Sequence, residues 1–122
     1  MMETFLEIPE ERIIHRNDSF FIIRDAFPVS PGHLLIISNR ICRDYFELSE
    51  VEKHDLTKTI DTARFIVEQE YRPDGYNVGM NCGVAAGQTV FHFHCHVIPR
   101  YNGDMEDPRG GVRHCVQGKG RY

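Results

Sequence analysis

The chain has 122 residues, of which 41% are hydrophobic and 26% charged, a composition typical of one globular domain with its own apolar core. Its formal net charge of −4 at pH 7 excludes the broad basic surface that neutralises a nucleic-acid backbone. We therefore expect no nucleic-acid partner, and any anionic ligand must be held by local contacts.

The amino-terminal stretch MMETFLEIPEER lacks the basic and apolar regions of a signal peptide. No stretch of the chain approaches the roughly 20 apolar residues needed to span a membrane. These features predict a cytoplasmic protein with no membrane partner. The cysteines form no C-x-x-C pair, which favours reduced packing thiols over a disulfide framework or a zinc ribbon; they are Cys42, Cys82, Cys95 and Cys115.

Short strands are predicted in the first forty residues. Residues 12–15 and 19–24 indicate a hairpin, because the pair Asn17-Asp18 between them favours a turn. The run HLLIIS, residues 33–38, is short, apolar and β-branched, which predicts a buried strand with His33 at its mouth.

A long helix is predicted next. Ser49 and Glu52 have the S-x-x-E spacing of a capping box, in which two side chains satisfy free amides at a helix start. Apolar residues then recur every three to four positions until Tyr71, and Pro73 and Gly75 end the pattern. One amphipathic helix should therefore cover about a fifth of the chain.

Two further strands are predicted at residues 76–82 and 89–98, joined by a loop that contains GVAAGQ. Residues 102–122 are rich in glycine and turn-forming residues and are expected to form a carboxy-terminal extension. With no internal repeat or domain boundary, residues 1–122 are predicted to form a single domain.

Three histidines, His92, His94 and His96, occupy every second position of the run QTVFHFHCHVIPR. Because strand side chains alternate, these imidazoles should share one face. A solvated strand face is the plain alternative, but three aligned imidazoles within an apolar run favour a functional site. The opposite face should be core, and it comprises Thr89, Phe91, Phe93, Cys95 and Val97.

Zinc binding is an alternative use of these histidines. At roughly 3.4 Å per residue, His92 and His96 are about 13 Å apart, whereas zinc needs each ring nitrogen within about 2.1 Å. Adjacent histidines could chelate, but the three together could not, so His33 or His114 would have to complete the site. A His-ligated zinc hydrolase therefore remains a rival interpretation.

The loop before the histidines carries groups that suit a phosphate. Asn81, Gly87, Gln88 and Thr89 offer amide, hydroxyl and flexible backbone donors without fixed positive charge. Alone, this stretch would be an ordinary glycine-containing hairpin loop. Beside a neutral histidine that can act as a nucleophile, and a second imidazole that can donate a proton, it predicts displacement at phosphorus.

The stretch GYNVGMNCGVAAGQTVFHFHCHVIPR resembles the signature of the histidine triad (HIT) family of nucleotide hydrolases and transferases, and the upstream DAFPVSPGHLLIIS resembles that family's nucleoside-binding segment. The resemblance covers about residues 5–101. It implies an α+β fold with a five-stranded antiparallel sheet, one long helix and a short helix, in agreement with the elements above. It also implies a homodimer.

The resemblance assigns roles by position. His94 would attack the α-phosphorus and form a covalent nucleotidyl-histidine, His96 would contact the phosphoryl oxygens and leaving group, and His92 with His33 would orient the site. Asn81, Gly87 and Thr89 would bind phosphate oxygens, with Gln88 nearby. Asp25 would accept from the ribose hydroxyls, which a carboxylate can do. Candidates for the base pocket are Phe21, Ile23 and Phe27.

The substrate is predicted to be an adenosine-type nucleotide conjugate. Asp25 and Asn81 resemble the branch of the family that cleaves nucleoside phosphoramidates, whereas PRYNGD after the triad resembles dinucleoside polyphosphate hydrolases. No protein-bound metal or tightly bound cofactor is expected, although magnesium could accompany a polyphosphate. A nucleotide-binding protein without activity and a structural protein are the other rivals. Basic tail residues that could reach a polyphosphate are Arg109, Arg113, Lys119 and Arg121.

Overall fold

A computed structural model describes residues 4–122. The first three residues, with which the predicted domain begins, lie outside this part of the chain. The strands are β1 (Ile13–Arg16), β2 (Phe20–Arg24), β3 (Leu34–Ser38), β4 (Gly75–Gly79) and β5 (His94–Arg100), and the helix α1 spans Glu50–Glu70. Short 3-10 helices lie at Phe5–Glu7, Glu10–Arg12, Tyr45–Glu47, Val84–Ala86 and Gly111–Cys115.

The strands form one antiparallel sheet in the order β1-β2-β3-β5-β4. This confirms the predicted α+β fold with a five-stranded sheet and one long helix. The short helix of the prediction appears only as 3-10 turns in the described residues. None of the described helices is both long and apolar enough to cross a membrane.

The capping box starts α1 as predicted. The Ser49 hydroxyl accepts from the Glu52 amide at 3.1 Å, and the Glu52 carboxylate accepts from the Ser49 amide at 2.8 Å. Glu52 also pairs with Arg40 at 2.8 Å, and these bonds hold the pKa of the Glu52 carboxyl below its usual value. The helix start is thereby tied to the segment that follows β3.

Two apolar clusters cover the two faces of the sheet. On one face α1 packs its buried side chains, among them Leu56, Ala63 and Val67, against Ile22 and Ile36. The other face has a smaller cluster closed by the amino-terminal 3-10 turn, and it comprises Phe5, Ile8, Phe21, Ile23, Leu35 and Ile37. The helix-free face is therefore the one on which a site can be built.

The predicted strand at residues 89–98 was wrong in its first half, because β5 begins only at His94. Residue Phe93 donates its amide to the Cys42 carbonyl at 2.7 Å and accepts from the Ser38 amide at 3.3 Å, so the chain leaves the predicted ladder there. Phe91 and Thr89 are consequently exposed instead of lying in the core. Strand β4 likewise ends at Gly79, three residues before the predicted end.

Candidate functional site

Strand β5 places His94 and His96 on the helix-free face of the sheet. His96 pairs with Leu35 of β3 and His94 pairs with Ile37. Directly opposed residues of antiparallel strands point to the same side, so both imidazoles join the face that carries the smaller apolar cluster. The intervening Cys95 is buried on the helix side, and burial raises the pKa of its thiol to about 12.

His92 precedes the strand and is fully buried. Its Nδ1 accepts a hydrogen bond from the Phe5 amide at 2.9 Å, and its Nε2 lies 2.7 Å from the Ser38 carbonyl oxygen. A carbonyl oxygen can only accept, so these partners assign the proton to Nε2. Burial lowers the pKa of the His92 imidazole, which favours this neutral tautomer. With both nitrogens engaged by backbone groups, His92 cannot join a three-histidine chelate.

His94 has one ring nitrogen free. Its Nδ1 lies 2.8 Å from the His92 carbonyl oxygen, so Nδ1 carries the proton and donates. The neutral ring then keeps a lone pair on Nε2. The Phe5 ring packs edge-on against the His94 imidazole with centroids 4.9 Å apart. The nucleophile predicted from the sequence is therefore oriented by backbone on one side and by an aromatic ring on the other.

His33 and His96 share a directed hydrogen bond. The Val29 amide donates to Nδ1 of His33 at 3.2 Å, so His33 carries its proton on Nε2, which lies 2.9 Å from Nδ1 of His96. His96 accepts at Nδ1 and keeps an Nε2–H as a donor. Burial is the main cause that lowers the pKa of His96 to about 4, and it also lowers the pKa of His33. Both rings are therefore neutral at pH 7.

Asp25 faces these two histidines. Its Oδ2 lies 3.4 Å from Nε2 of His33 and 3.9 Å from Nδ1 of His96, while Oδ1 accepts from the Phe27 amide at 2.8 Å. The predicted ribose contact stays a prediction. In this structure the carboxylate places a negative charge beside the shared His33–His96 hydrogen bond.

One group of described residues has the composition of a metal site. Ligand atoms of Asp25, His33 and His96 all lie within 4.8 Å of one another. A metal on His33 would have to displace the proton from Nε2, but the Val29 amide donates to Nδ1 and thereby fixes that proton. One aspartate and two histidines are ligand types that zinc accepts. The directions of their hydrogen bonds, however, suit side chains that share protons with each other. His114 lies outside the group, with Nε2 bonded to the Arg109 carbonyl.

The loop between β4 and β5 turns at two glycines with positive φ, Gly83 at 98° and Gly87 at 93°. Gln88 is buried and braces this loop. Its Oε1 accepts from the Gly83 amide at 2.8 Å, and its Nε2 donates to the carbonyls of Arg43 at 2.6 Å and Val90 at 3.2 Å. The amide is thus occupied by backbone, and a direct phosphate contact by Gln88 stays a prediction. The other predicted phosphate ligands, Asn81, Gly87 and Thr89, are exposed on the loop.

The residues predicted for the base pocket are not brought together. Phe21 and Ile23 are each only 2% exposed, because the 3-10 turn with Phe5 and Ile8 covers them. Phe27 is 87% exposed and lies outside this cluster. As placed, Phe21 and Ile23 serve as core and offer almost no surface to a ligand, so their contact with a base stays a prediction.

Phe5 is the contributor to the site that the sequence analysis missed. It is 87 positions from His92 along the chain, and its contribution to His92 is a backbone amide, which leaves no residue-type signal. A second unpredicted feature is a cleft of about 750 Å³ that opens beside His96, between the loop, β4 and the carboxy-terminal tail.

The fold and the histidine arrangement define an α+β domain with an oriented imidazole pair on the open face of its sheet. A protein-family model described as the HIT domain matches residues 6–103, and the chain belongs to this family. The predicted family membership is thereby confirmed.

Named relatives and solved structures agree with the family. The chain is 32% identical over 108 residues to an AP-4-A phosphorylase of Mycobacterium tuberculosis (strain CDC 1551 / Oshkosh), covering 84% of this chain and 55% of that protein. It is 33% identical over 100 residues to a bis(5'-adenosyl)-triphosphatase of Dictyostelium discoideum, covering 82% and 67%. A Hit-like protein from Bartonella henselae has a similar crystal structure, with a TM-score of 0.71, 28% identity and coverage of 77% and 71%. The chain thus spans about half the length of the mycobacterial relative.

Proposed function

We propose that the protein cleaves the α-phosphate linkage of adenosine-type nucleotide conjugates through a covalent nucleotidyl-histidine at His94. The observation that carries this proposal is the bond from Nδ1 of His94 to the His92 carbonyl, which leaves the Nε2 lone pair available. A neutral histidine with one nitrogen held by a fixed acceptor is an oriented nucleophile.

In the first step Nε2 of His94 forms a bond to the α-phosphorus. The bond from phosphorus to the leaving oxygen breaks, and its electron pair goes to that oxygen. The Nε2–H of His96 donates a hydrogen bond to the same oxygen, because Nδ1 of His96 is already occupied by His33. This bond stabilises negative charge where it develops in the transition state.

In the second step a water oxygen attacks the same phosphorus. The bond from phosphorus to Nε2 of His94 breaks, the electron pair returns to the ring, and the proton of the water leaves to solvent. The exposed loop groups of Asn81, Gly87 and Thr89 would hold the phosphate oxygens during both steps, and Asp25 would accept from the ribose.

A dinucleoside polyphosphate is our first candidate substrate. The relatives named as an AP-4-A phosphorylase and a bis(5'-adenosyl)-triphosphatase support it. The electrostatics of His96 support it too: burial lowers the pKa of this ring to about 4, so it is neutral at pH 7. A neutral donor suffices for an oligophosphate, which departs as an anion, whereas the amine of a phosphoramidate must take up a proton. The phosphoramidate is the second candidate.

The test is hydrolysis of diadenosine polyphosphates and an adenosine phosphoramidate by the wild type and by His94→Ala. The variant should lose at least about 10³-fold in kcat while still binding AMP. Exposed His54 on α1 gives the matched control, and His54→Ala should retain wild-type turnover. Intact-mass analysis of the quenched wild type should show an AMP adduct. Turnover by His94→Ala would contradict the proposed nucleophile, and AMP binding without wild-type turnover would favour a binding protein.

A zinc hydrolase is the second candidate function, because Asp25, His33 and His96 form a possible ligand group. It predicts bound zinc in the purified protein and loss of activity with a chelator, whereas covalent catalysis by His94 predicts neither. We further propose a homodimer and magnesium carried by a polyphosphate substrate. Light scattering after gel filtration tests the dimer, and a magnesium titration tests the ion.

A further inference from the structure

The carboxy-terminal tail, residues 102–122, is tied to the domain at its start. The Tyr101 hydroxyl donates to the Pro31 carbonyl at 2.7 Å, and the Asn102 amide donates to the Asp74 carboxylate at 2.8 Å. Arg100 binds both oxygens of Asp104, at 2.8 and 2.7 Å. These bonds fix the direction in which the tail leaves β5.

Further along, the tail folds back on itself and lies against β4. A side chain at Gly110 would collide with the Gly120 carbonyl, and one at Gly111 would come within 3.4 Å of the Asn77 amide nitrogen on β4. Arg121 closes the fold-back by pairing with Asp107 at 2.9 Å. The tail therefore has a defined path beside β4, although residues 104–122 lie beyond the part of the chain that matches the HIT domain.

The path of the tail creates the cleft of about 750 Å³ beside the histidines. The lining includes His96 of β5 together with Asn81 and Gly87 of the loop. It also includes Ile98 of β5 and the tail residues Val112 and Val116. The cleft therefore adjoins the catalytic site at His96, the residue that the proposed function places beside the leaving oxygen.

No charged side chain lines this cleft in the described residues. The polar lining comes from the His96 imidazole, asparagine amides, backbone and Cys115. The basic tail residues lie elsewhere, since Arg109 and Arg121 approach Asp107 and Arg113 lies over the Tyr122 ring. The cleft therefore offers apolar surface and hydrogen bonds but no counter-charge for a terminal polyphosphate.

We propose that the tail builds a subsite for the departing part of the substrate, and that this subsite takes an uncharged ring such as a second nucleoside. The inference rests on the proposed function, because it assigns the transferred nucleotide to His94 and the departing group to the tail side of His96. The tail then selects conjugates that are capped by a ring over those that end in free phosphate.

The test compares two compounds with the same number of phosphates, diadenosine tetraphosphate and adenosine 5′-tetraphosphate. AMP release from each gives kcat/KM, and their ratio isolates the second nucleoside. For the wild type we expect a ratio above about 10 in favour of the capped compound, the discrimination that apolar burial of a ring supplies. Val112→Lys and Val116→Lys place a cation at the cleft and should each lower the ratio about tenfold. Both valines are largely exposed, at 68% and 56%, so the domain should tolerate the change.

Val51→Lys is the matched control, because Val51 is 70% exposed on α1, on the opposite face of the sheet, and should leave the ratio unchanged. Equal ratios in the wild type and both tail variants, with turnover retained, would overturn the subsite and leave the proposed function standing. An equal loss for both compounds, with weakened AMP binding, would place the transferred nucleoside in the cleft and also overturn it. Absence of turnover by the wild type would overturn the proposed function, and the subsite with it.

Discussion

Nδ1 of His94 lies 2.8 Å from the carbonyl oxygen of His92, so the residue two positions earlier in the chain decides which nitrogen of the proposed nucleophile is free. His92 itself is held between the Phe5 amide and the Ser38 carbonyl. The orientation of the His94 ring therefore depends on backbone groups of the amino-terminal turn and of β3, and not on an acidic side chain.

Phe5→Pro tests the dependence on the amino-terminal turn. Proline lacks the amide that His92 accepts from, but it fits the first position of a helical turn, and Thr4 before it is already extended. The buried Nδ1 of His92 would lose its donor, at a cost of about 1–3 kcal/mol in the free energy of unfolding. We expect this loss in urea unfolding, together with a lower kcat.

Phe5→Leu is the control for the lost ring, because leucine keeps the amide and an apolar side chain. It should retain more of the stability and of the kcat than Phe5→Pro. Equal effects of the two substitutions would show that the ring at Phe5 matters and that its hydrogen bond to His92 does not.

The neutral histidines predict how stability varies with pH. His96 has a pKa of about 4 in the folded protein, whereas the ordinary value is 6.5. Between these values the unfolded chain binds more protons than the folded one, so stability rises with pH across this window. The stability that the neutral His96 ring contributes is fully present above about pH 6.5 and is lost as the pH falls towards 4.

NMR titration of the His96 ring and urea unfolding at pH 7 and pH 5 check this prediction. The ring signal should titrate near pH 4, and the protein should be less stable at pH 5 than at pH 7. A His96 midpoint near the ordinary value, with no change in unfolding free energy, would contradict the neutral arrangement.

The sequence correctly predicted that His94 and His96 share one face of a strand. It predicted His92 only in part, because His92 precedes the strand. Strand alternation places His94 and His96 together, because β5 is regular there. The same alternation misplaced Phe91, because a bond between Phe93 and Cys42 removes the preceding segment from the ladder. Such a contact between positions distant in the chain has no signature in residue spacing.

The partner of His96 could not be derived from spacing either. His33 lies 63 positions earlier, and the resemblance to the HIT family grouped it with His92, whereas in the structure its hydrogen-bond partner is His96. A base pocket is hard to recognise from the sequence for a related reason: an apolar residue on a strand suits core and ligand contact equally well. In the structure Phe5 and Ile8 cover Phe21 and Ile23, and the contact of these residues with a base stays a prediction.

Gln88 offers a test of whether the loop is braced or binds phosphate through this residue. Gln88→Ala would leave the Gly83 amide and two carbonyls without their partner, so we expect a loss of about 1–3 kcal/mol in unfolding free energy. Gln88→Glu should be worse, because a carboxylate oxygen would face the Arg43 carbonyl in place of a donor. A raised KM with unchanged stability would instead support direct phosphate contact.

Asp25→Asn separates two roles for this carboxylate. Asparagine keeps an oxygen that can accept from the Phe27 amide but removes the charge, so local folding should survive. If the carboxylate accepts from the ribose hydroxyls, the KM for a ribonucleotide conjugate should rise about tenfold, as expected for a lost hydrogen bond to a charged group. The 2′,3′-dideoxy analogue has no hydroxyls to donate, so its KM should be the same with the wild type and with Asp25→Asn. The alternative role acts through His33, 3.4 Å from the Asp25 oxygen, and would lower kcat for both compounds with KM unchanged. That second pattern would contradict the ribose contact and make Asp25 a positioning residue of the His33–His96 pair.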